Sequence, residues 1–368
     1  MKIPYSDPYF VAKVAIFLAG ATALCAGLFP VAFRTWKESH TMHTLVVTPA
    51  MRAEVVAALA DKAERHYLFA PKGKAVADFL RTAERSGRYR FLTTPQLLVP
   101  VLTDDMRNVS GDQHMWIEFS AVPVDDVGDR GIGVAPNDDV SGPMWLLDRL
   151  GRTMADFGVK EASVSDDGIG YVRITRFYRP FLAGEKYAAA MDKVSASRAL
   201  IIDMRDNGGG YASSVALLAS YFFDRPTHLT DIETPRRGER EQMWTSAQVE
   251  GRRYGAARPV IVLTSHATFS AGEDFAYSMQ TTGRATVIGE PTRGGAHPVE
   301  RYRLAQHFIG QIPVKQSISP VTNTNWEGNG VQPDRGVDAN FALGVAMRTL
   351  RAALPPVNLD KKKPAEAG

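Results

Sequence analysis

Short apolar runs of strand length alternate with helical stretches through most of this chain, and that alternation restricts the fold more than any other feature. The apolar runs lie at 115–119, 170–175, 199–204, 260–264 and 286–289. Helical patterns lie between them, for example at 211–223 and 272–281. Strands that alternate with helices predict an α/β domain, which we place at residues 111–354.

A different pattern, helical throughout, precedes the α/β region at residues 45–110. Thr48 followed by Pro49 is typical of a helix start, and the apolar residues after them recur on one stripe at helical spacing. Similar patterns cover 73–83 and 94–106. We therefore predict a small N-terminal helical domain of about three helices.

The N-terminus contains an uncharged apolar stretch at residues 14–33, directly after Lys13. A stretch of this length is sufficient to span a bilayer. We predict that residues 1–40 hold an N-terminal membrane segment, either an uncleaved signal anchor or a cleaved signal peptide. In both cases the globular part is expected to lie outside the cytoplasm, anchored to the membrane or secreted.

Charge and cysteine content exclude several classes of protein. The net charge is +3, and no run of Lys and Arg is interleaved with aromatic residues, so no nucleic-acid partner is expected. The single cysteine, Cys25, excludes an internal disulfide framework and a zinc site built on several thiolates. The histidines and carboxylates show no ligand spacing on a common helix, so neither a metal nor a cofactor is implied.

Three polar or irregular segments interrupt the pattern. Residues 125–142, rich in Gly, Asp and Pro, predict an irregular connection. Residues 225–253 are polar and charged, and we interpret them as a surface excursion. The tail at 355–368 is predicted to be disordered.

Ser270 occupies the point where the apolar run at 260–264 gives way to small residues that open a helix. A serine at a strand-to-helix turn is exposed, and the amides of the next turn point towards the group that it attacks. A helix cap is the other interpretation, because Glu273 three positions later completes a capping box. The local pattern leaves both interpretations open.

Another run, at 199–204, leads into three consecutive glycines at 208–210. Glycines permit a sharp turn and leave backbone amides uncovered, which suits an oxyanion or a phosphate. The spacing and the lysine of a phosphate-binding loop are absent. Asp203 and Arg205 are expected to hold the turn through a local ion pair.

Taken together with the segments at 264–273, 289–298 and 326–334, this glycine turn resembles the tail-specific (carboxyl-terminal processing) serine peptidase family. The resemblance covers about 55–333 in the same order, and it is strongest to the branch of the tricorn core and the interphotoreceptor retinoid-binding modules. It implies a crotonase-like ββα spiral core and hydrolysis of peptides or unfolded proteins through an acyl-enzyme. Only about 55 residues separate His114 from Gly168, which is too few for an inserted PDZ module.

One departure from the family concerns the general base. Members with a Ser–Lys dyad carry a lysine in the segment that matches 289–299, but this chain has no lysine between Lys193 and Lys315. A serine without a base is inert at neutral pH. The tricorn-like branch takes its base from a histidine that matches His114, and Gln113 stands where that branch has an orienting serine.

The resemblance therefore implies a set of site residues. These are Ser270 as nucleophile, His114 as base, Glu327 as support for the charged network, the amides of Gly209 and Ala271 as oxyanion donors, and Gly208, Gly210 and His297 as cleft residues. The retinoid-binding modules keep this fold without catalysis, so a binder of apolar ligands is an alternative function. A membrane-tethered interaction protein with a vestigial serine site is another.

Overall fold

The computed structural model describes residues 42, 44–126, 128 and 156–355. Its helices, in chain order, are α1 (Pro49–His66), α2 (Ala70–Arg85), α3 (Pro95–Ser110), α4 (Pro180–Val194), α5 (Ala212–Ala219), α6 (Ala271–Thr281) and α7 (Ala339–Ala353). Its strands are β1 (Trp116–Phe119), β2 (Val159–Val164), β3 (Ile169–Ile174), β4 (Ala199–Asp203), β5 (His228–Thr234), β6 (Glu239–Trp244), β7 (Val260–Thr264), β8 (Thr286–Gly289), β9 (Val299–Ala305), β10 (Phe308–Pro313), β11 (Gln316–Ile318) and β12 (Arg335–Gly336).

Three helices occupy the region where the sequence predicts them. Thr48 caps α1, because its hydroxyl oxygen accepts a hydrogen bond from the Met51 amide at 3.2 Å. Each of α1, α2 and α3 has a proline in its first turn, where the missing amide hydrogen costs nothing. Gly111 ends α3 in the left-handed conformation, with φ of 74°.

Within the described residues, a mixed sheet of six strands has the order β12-β8-β7-β4-β3-β2. Its neighbours are parallel except for the β2–β3 pair. Helices α4, α5 and α6 pack on one face against residues such as Ile202 and Val262, and α7 packs on the other against Ile201 and Leu263. The predicted mixed α/β architecture is thus present.

The N-terminal helices share their hydrophobic core with strands from distant parts of the chain. Antiparallel strands β1, β10 and β9 form a small sheet, and Tyr302 and Phe308 of that sheet are buried with Leu59, Leu80 and Leu98 of the helices. A single core therefore includes residues on both sides of the boundary predicted after residue 110. This sheet also brings the segment before β1 close to the segment before β9.

The polar segment at 225–253 was interpreted as a surface excursion, and this is wrong for its first half. Strand β5 lies there, between β11 and β6, with most of its residues buried. Its polar side chains are buried because they have partners: the Thr230 hydroxyl donates to Asp274 at 2.6 Å. Strand β6 is largely exposed, as expected.

Several predicted features fall on parts of the chain that the structure does not describe. These are the apolar stretch at 14–33, most of the irregular connection at 125–142 and all but the first residue of the tail at 355–368. In the described ranges, no helix combines the length and the apolar character needed to cross a bilayer.

Candidate active site

The site lies at one edge of the six-stranded sheet. Strands β4, β7 and β8 are parallel neighbours, so their carboxyl ends meet there. The glycine turn follows β4, Ser270 follows β7, and the loop with His297 follows β8. Loops at the carboxyl ends of parallel strands are the usual place for a binding crevice in α/β folds.

Ser270 directly precedes α6 and has an unusual backbone conformation, with φ of 55° and ψ of −121°. A non-glycine residue in such a region costs about 1 to 3 kcal/mol and persists only where its surroundings impose it. The Ser270 amide donates to the carboxylate of Glu273 at 2.8 Å, which ties the residue to the first turn of the helix. The serine is partly exposed, as the strand-to-helix interpretation requires.

The glycine turn packs directly against Ser270. A Cβ atom on Gly209 would lie 2.7 Å from the Cβ of Ser270, and Gly209 has φ of +97°, so only glycine fits without strain. The Gly209 amide donates to the side-chain oxygen of Asn207 at 2.8 Å. By contrast, the amides of Gly210 and Ala271 donate to no acceptor among the described residues. Gly208 and Gly210 are exposed.

The ion pair expected beside this turn is present. Arg205 and Asp203 are joined by a bond of 2.6 Å, and the Tyr171 hydroxyl donates to the same carboxylate at 2.7 Å. Arg205 also donates to the carbonyl of Ala339, at the start of α7. These contacts fasten the end of β4, from which the glycine turn begins.

His114 is buried beside Phe269, the residue that precedes Ser270. Its ring stacks on Phe269, with centroids 4.3 Å apart, and Phe269 directly precedes Ser270. Burial lowers the pKa of His114 to about 4, so the ring is neutral at neutral pH. Its Nδ1 atom is enclosed and has no hydrogen-bond partner in the part of the chain that the structure describes. Among the described residues, no hydrogen bond joins this ring to the Ser270 hydroxyl.

Glu327 lies next to His297 rather than in direct contact with His114. Its Oε2 is 3.5 Å from His297 Nδ1, and it accepts the Ala296 amide hydrogen at 2.6 Å. Burial, together with repulsion from Asp112, raises the pKa of Glu327 to about 7. The structure thus brings His114 against Phe269, the neighbour of Ser270, and brings Glu327 near His297.

Asp112 connects His114 with the pair of Glu327 and His297, and the sequence alone did not predict this role. Its carboxylate lies 2.7 Å from His297 Nδ1, and its other oxygen accepts the His114 amide hydrogen at 2.9 Å. Burial acts to raise the pKa of Asp112, but the hydrogen bonds and charge of His297 and His114 hold it below its ordinary value. An aspartate side chain commonly accepts the amide hydrogen of the residue two positions later in a tight turn. The contact between Asp112 and the His114 amide therefore has a local sequence signal.

The same three side chains, Asp112, His297 and Glu327, are of the types that coordinate a metal ion. Ligand-type atoms of Asp112, His297 and Glu327 all lie within 4.8 Å of one another. The His297 Nδ1 atom faces two acceptors, so a proton on that nitrogen already satisfies it. Among the described residues, the arrangement is that of a hydrogen-bonded cluster.

Glu273 holds Ser270 and the loop after β8 together. Its carboxylate accepts the amide hydrogens of Ser270, Gly294 and Gly295 and the hydroxyl hydrogen of Thr292, at 2.8, 2.6, 2.9 and 2.5 Å. Burial raises the pKa of Glu273 to about 7, although these four donors act to lower it. The capping residue predicted from the sequence is therefore also a link between two walls of the site.

Glu273→Gln is expected to flatten the pH dependence of stability. A carboxyl whose pKa is raised in the folded state binds its proton more tightly there, so the free energy of unfolding falls as pH rises from about 4.5 to about 7. Glutamine does not ionise, and this contribution, roughly 3 kcal/mol over the interval, disappears. Urea unfolding at pH 4.5, 5.5, 6.5 and 7.5 measures the slope. Glu239→Gln, on the exposed strand β6, is the control, and identical slopes for wild type and Glu273→Gln would contradict the expectation.

Part of this chain is similar to a known family of peptidases. Residues 168–337 match the model of peptidase family S41. Over these residues the chain is similar to the members of this family. Among its sequence relatives, carboxyl-terminal-processing peptidase 2, chloroplastic, from Arabidopsis thaliana is 25% identical over 173 residues, or 47% of this chain and 32% of the relative. The tricorn protease of Thermoplasma volcanium is 30% identical over 168 residues, or 45% of this chain and 14% of the relative.

Solved structures extend the likeness to most of this chain's length at the level of fold. A crystal structure of the tricorn protease superposes with a TM-score of 0.53 and 14% identity, over 82% of this chain and 37% of that one. A putative peptidase from Parabacteroides merdae gives the same TM-score with 20% identity, over 84% of this chain and 99% of that one. The family resemblance inferred from the motifs is confirmed. The chain spans about a third of the plant relative and less of the tricorn protease.

Proposed function

We propose that this chain is a serine-type peptidase that cleaves peptide bonds through an acyl-enzyme on Ser270. The observation that carries the proposal is the position of Ser270: it is partly exposed at the start of α6, in a strained conformation, against the glycine turn. Strain at a residue held by its surroundings is typical of functional sites. The match of residues 168–337 to the model of family S41 supports the same activity.

His114 is the proposed general base. In the first step it takes the proton of the Ser270 hydroxyl while Oγ bonds to the carbonyl carbon of the substrate. When the tetrahedral intermediate collapses, the C–N bond breaks and the proton passes to the leaving amine. Water then attacks the ester: His114 takes a proton from the water as the water oxygen bonds to the carbonyl carbon. The bond from that carbon to Oγ breaks, the proton passes to Oγ, and the acid is released. Its pKa of about 4 means that His114 enters this cycle neutral.

The oxyanion is proposed to bind at the first turn of α6 and the glycine turn. The amides of Ala271 and Gly210 have no acceptor within the described part of the chain. The amide of Gly209 donates to Asn207, so it serves the oxyanion only when that bond opens. The positive end of α6 adds to the stabilisation of negative charge at this place. Glu327 supports the network from the side of His297, and Gly208 completes the exposed rim.

The proposed substrates are peptides or unfolded proteins, because a backbone carbonyl reaches a half-buried serine only in an extended chain. We place the globular part outside the cytoplasm, attached to the membrane or secreted, and the uncharged stretch at 14–33 supports this. The spacing of His114 and Gly168 supports the absence of an inserted PDZ module.

A fluorophosphonate probe tests the proposal. It is expected to label wild-type protein on Ser270, as located by mass spectrometry of the modified peptide, and His114→Gln should slow the labelling by about 100-fold or more, within the range for loss of a general base. His266→Gln, an exposed histidine four residues before Ser270, is the matched control and should label at the wild-type rate. Absence of labelling in folded wild type, together with tight binding of a fatty acid or retinoid, would establish the binder of apolar ligands instead.

A further inference from the structure

Asp112 contacts three parts of the chain that are far apart in sequence. One carboxylate oxygen accepts the His114 amide hydrogen at 2.9 Å, and the other accepts from the Tyr67 hydroxyl at 3.0 Å and lies 2.7 Å from His297 Nδ1. Tyr67 lies at the end of α1, and His297 lies in the loop before β9. The Asp112 side chain is almost completely buried. Such a fully satisfied polar group fixes the geometry of everything attached to it.

His297 lies between two carboxylates. Its Nδ1 atom is 2.7 Å from Asp112 and 3.5 Å from Glu327, and both carboxylates only accept hydrogen bonds when ionised. The nitrogen between them must therefore carry a proton. The neighbouring Ala296 amide donates to Glu327 at 2.6 Å, so this short segment holds the glutamate at two points.

The loop that contains His297 also sets the position of the His114 ring. A Cβ atom on Gly295 would lie 2.5 and 2.7 Å from two atoms of that ring, so loop and ring are in close contact. Gly295 is itself fixed, because its amide donates to Glu273. Movement of the loop would therefore move the ring of the proposed base relative to Ser270.

We infer that Asp112 and His297 form a positioning pair, which orients His114 through its amide and its packing against Gly295 and orients Glu327 through the His297 ring. This inference rests on the proposed function. The pair touches neither substrate nor the reacting atoms, and it acts only through its two neighbours. A displacement of about 1 Å in a catalytic group lowers the rate by about 100-fold.

The test compares two substitutions of His297. His297→Leu removes the donor, whereas His297→Asn retains an N–H group close to the position of Nδ1. With an unstructured peptide as substrate, we expect kcat of His297→Leu to fall by about 30- to 100-fold with KM unchanged. His297→Asn should recover most of that loss. The rate of fluorophosphonate labelling should follow kcat. His266→Leu is the matched control and should behave as wild type.

A double-substitution cycle identifies the pair as a unit. Asp112→Asn is expected to lower kcat to a similar extent, and the combination of Asp112→Asn with His297→Leu should be little worse than either alone, because the second change removes a contact already lost. If circular dichroism shows that His297→Leu is unfolded, Tyr67→Phe is measured in its place. That variant removes one donor to Asp112 and should lower kcat by about 3- to 10-fold.

Distinct outcomes overturn this inference and the proposed function. Active wild type with unchanged kcat in His297→Leu, or in Tyr67→Phe where that variant is needed, overturns the positioning pair and leaves the peptidase in place. Stoichiometric binding of Zn²⁺ by wild type in calorimetry, lost in Asp112→Asn, also overturns it, since the cluster would then be a metal site. Wild type that neither turns over peptide nor reacts with the probe overturns the proposed function itself.

Discussion

Ser270→Ala is expected to abolish peptide hydrolysis, with kcat lowered by about 10⁴-fold or more, because loss of a catalytic serine removes the whole covalent route. Alanine adopts the unusual backbone of Ser270 with about the same strain as serine, since both carry a Cβ. The site is partly exposed, so the fold is expected to lose no more than about 1 kcal/mol of stability through the altered helix start. Turnover of an unstructured peptide and the midpoint of thermal unfolding measure the two effects.

Ser195→Ala provides the control for this experiment. Ser195 directly follows α4, and its hydroxyl donates to the Asp192 carbonyl at 2.8 Å, so the substitution also changes a serine at a helix end. Full activity is expected there. Undiminished hydrolysis by Ser270→Ala would refute the assignment of the nucleophile, and so would a loss of activity accompanied by unfolding that Ser195→Ala does not share.

Gly209→Ala is expected to lower the free energy of unfolding by about 2 to 5 kcal/mol and to inactivate the protein, because the new Cβ combines backbone strain with overpacking. That atom would lie 2.7 Å from the Cβ of Ser270 and 2.9 Å from the Phe269 carbonyl oxygen, at φ of +97°. Neither neighbour is the end of a flexible side chain, so the backbone around the nucleophile must move. Urea unfolding and fluorophosphonate labelling report the two consequences.

The adjacent Gly208→Ala is the matched control. A Cβ on Gly208 meets no atom within 4 Å, and its φ lies outside the left-handed region. We expect a change in stability within about 0.5 kcal/mol, and labelling of Ser270 that is much faster than in Gly209→Ala. If the two substitutions had equal effects, close packing of the turn against Ser270 would not be the reason for a glycine at position 209.

Local patterns predicted the elements that carry the chemistry. Strands Val260–Thr264 and Thr286–Gly289 have the predicted bounds, because short buried strands between helical stretches are distinctive in apolar content alone. Thr48 was recognised as a helix cap for a similar reason, since capping depends on residues three positions apart. The ion pair of Asp203 and Arg205 also lies within one turn of chain.

Contacts between distant segments were harder to predict from the sequence. Strand β5 is mostly buried although its sequence predicts a surface excursion, because its Thr230 is satisfied by Asp274 of α6, 44 positions further on. Asp112 was passed over, because its partners Tyr67 and His297 are 45 and 185 positions away. The direct contacts of Glu327 with the His297 segment, rather than with His114, had no sequence signal either.

For this protein the order of residues alone determined the α/β class, the helical N-terminal region and the family of the serine motif, since each depends on spacing within a few turns of chain. Only the tertiary structure decided that Asp112 and His297 lie between the proposed base and Glu327. The reason is physical: the antiparallel pairing of β1, β10 and β9 brings those segments together, and the stability of that pairing comes from a core shared with α1 to α3. Burial of that kind is a property of the assembled chain and leaves no local pattern.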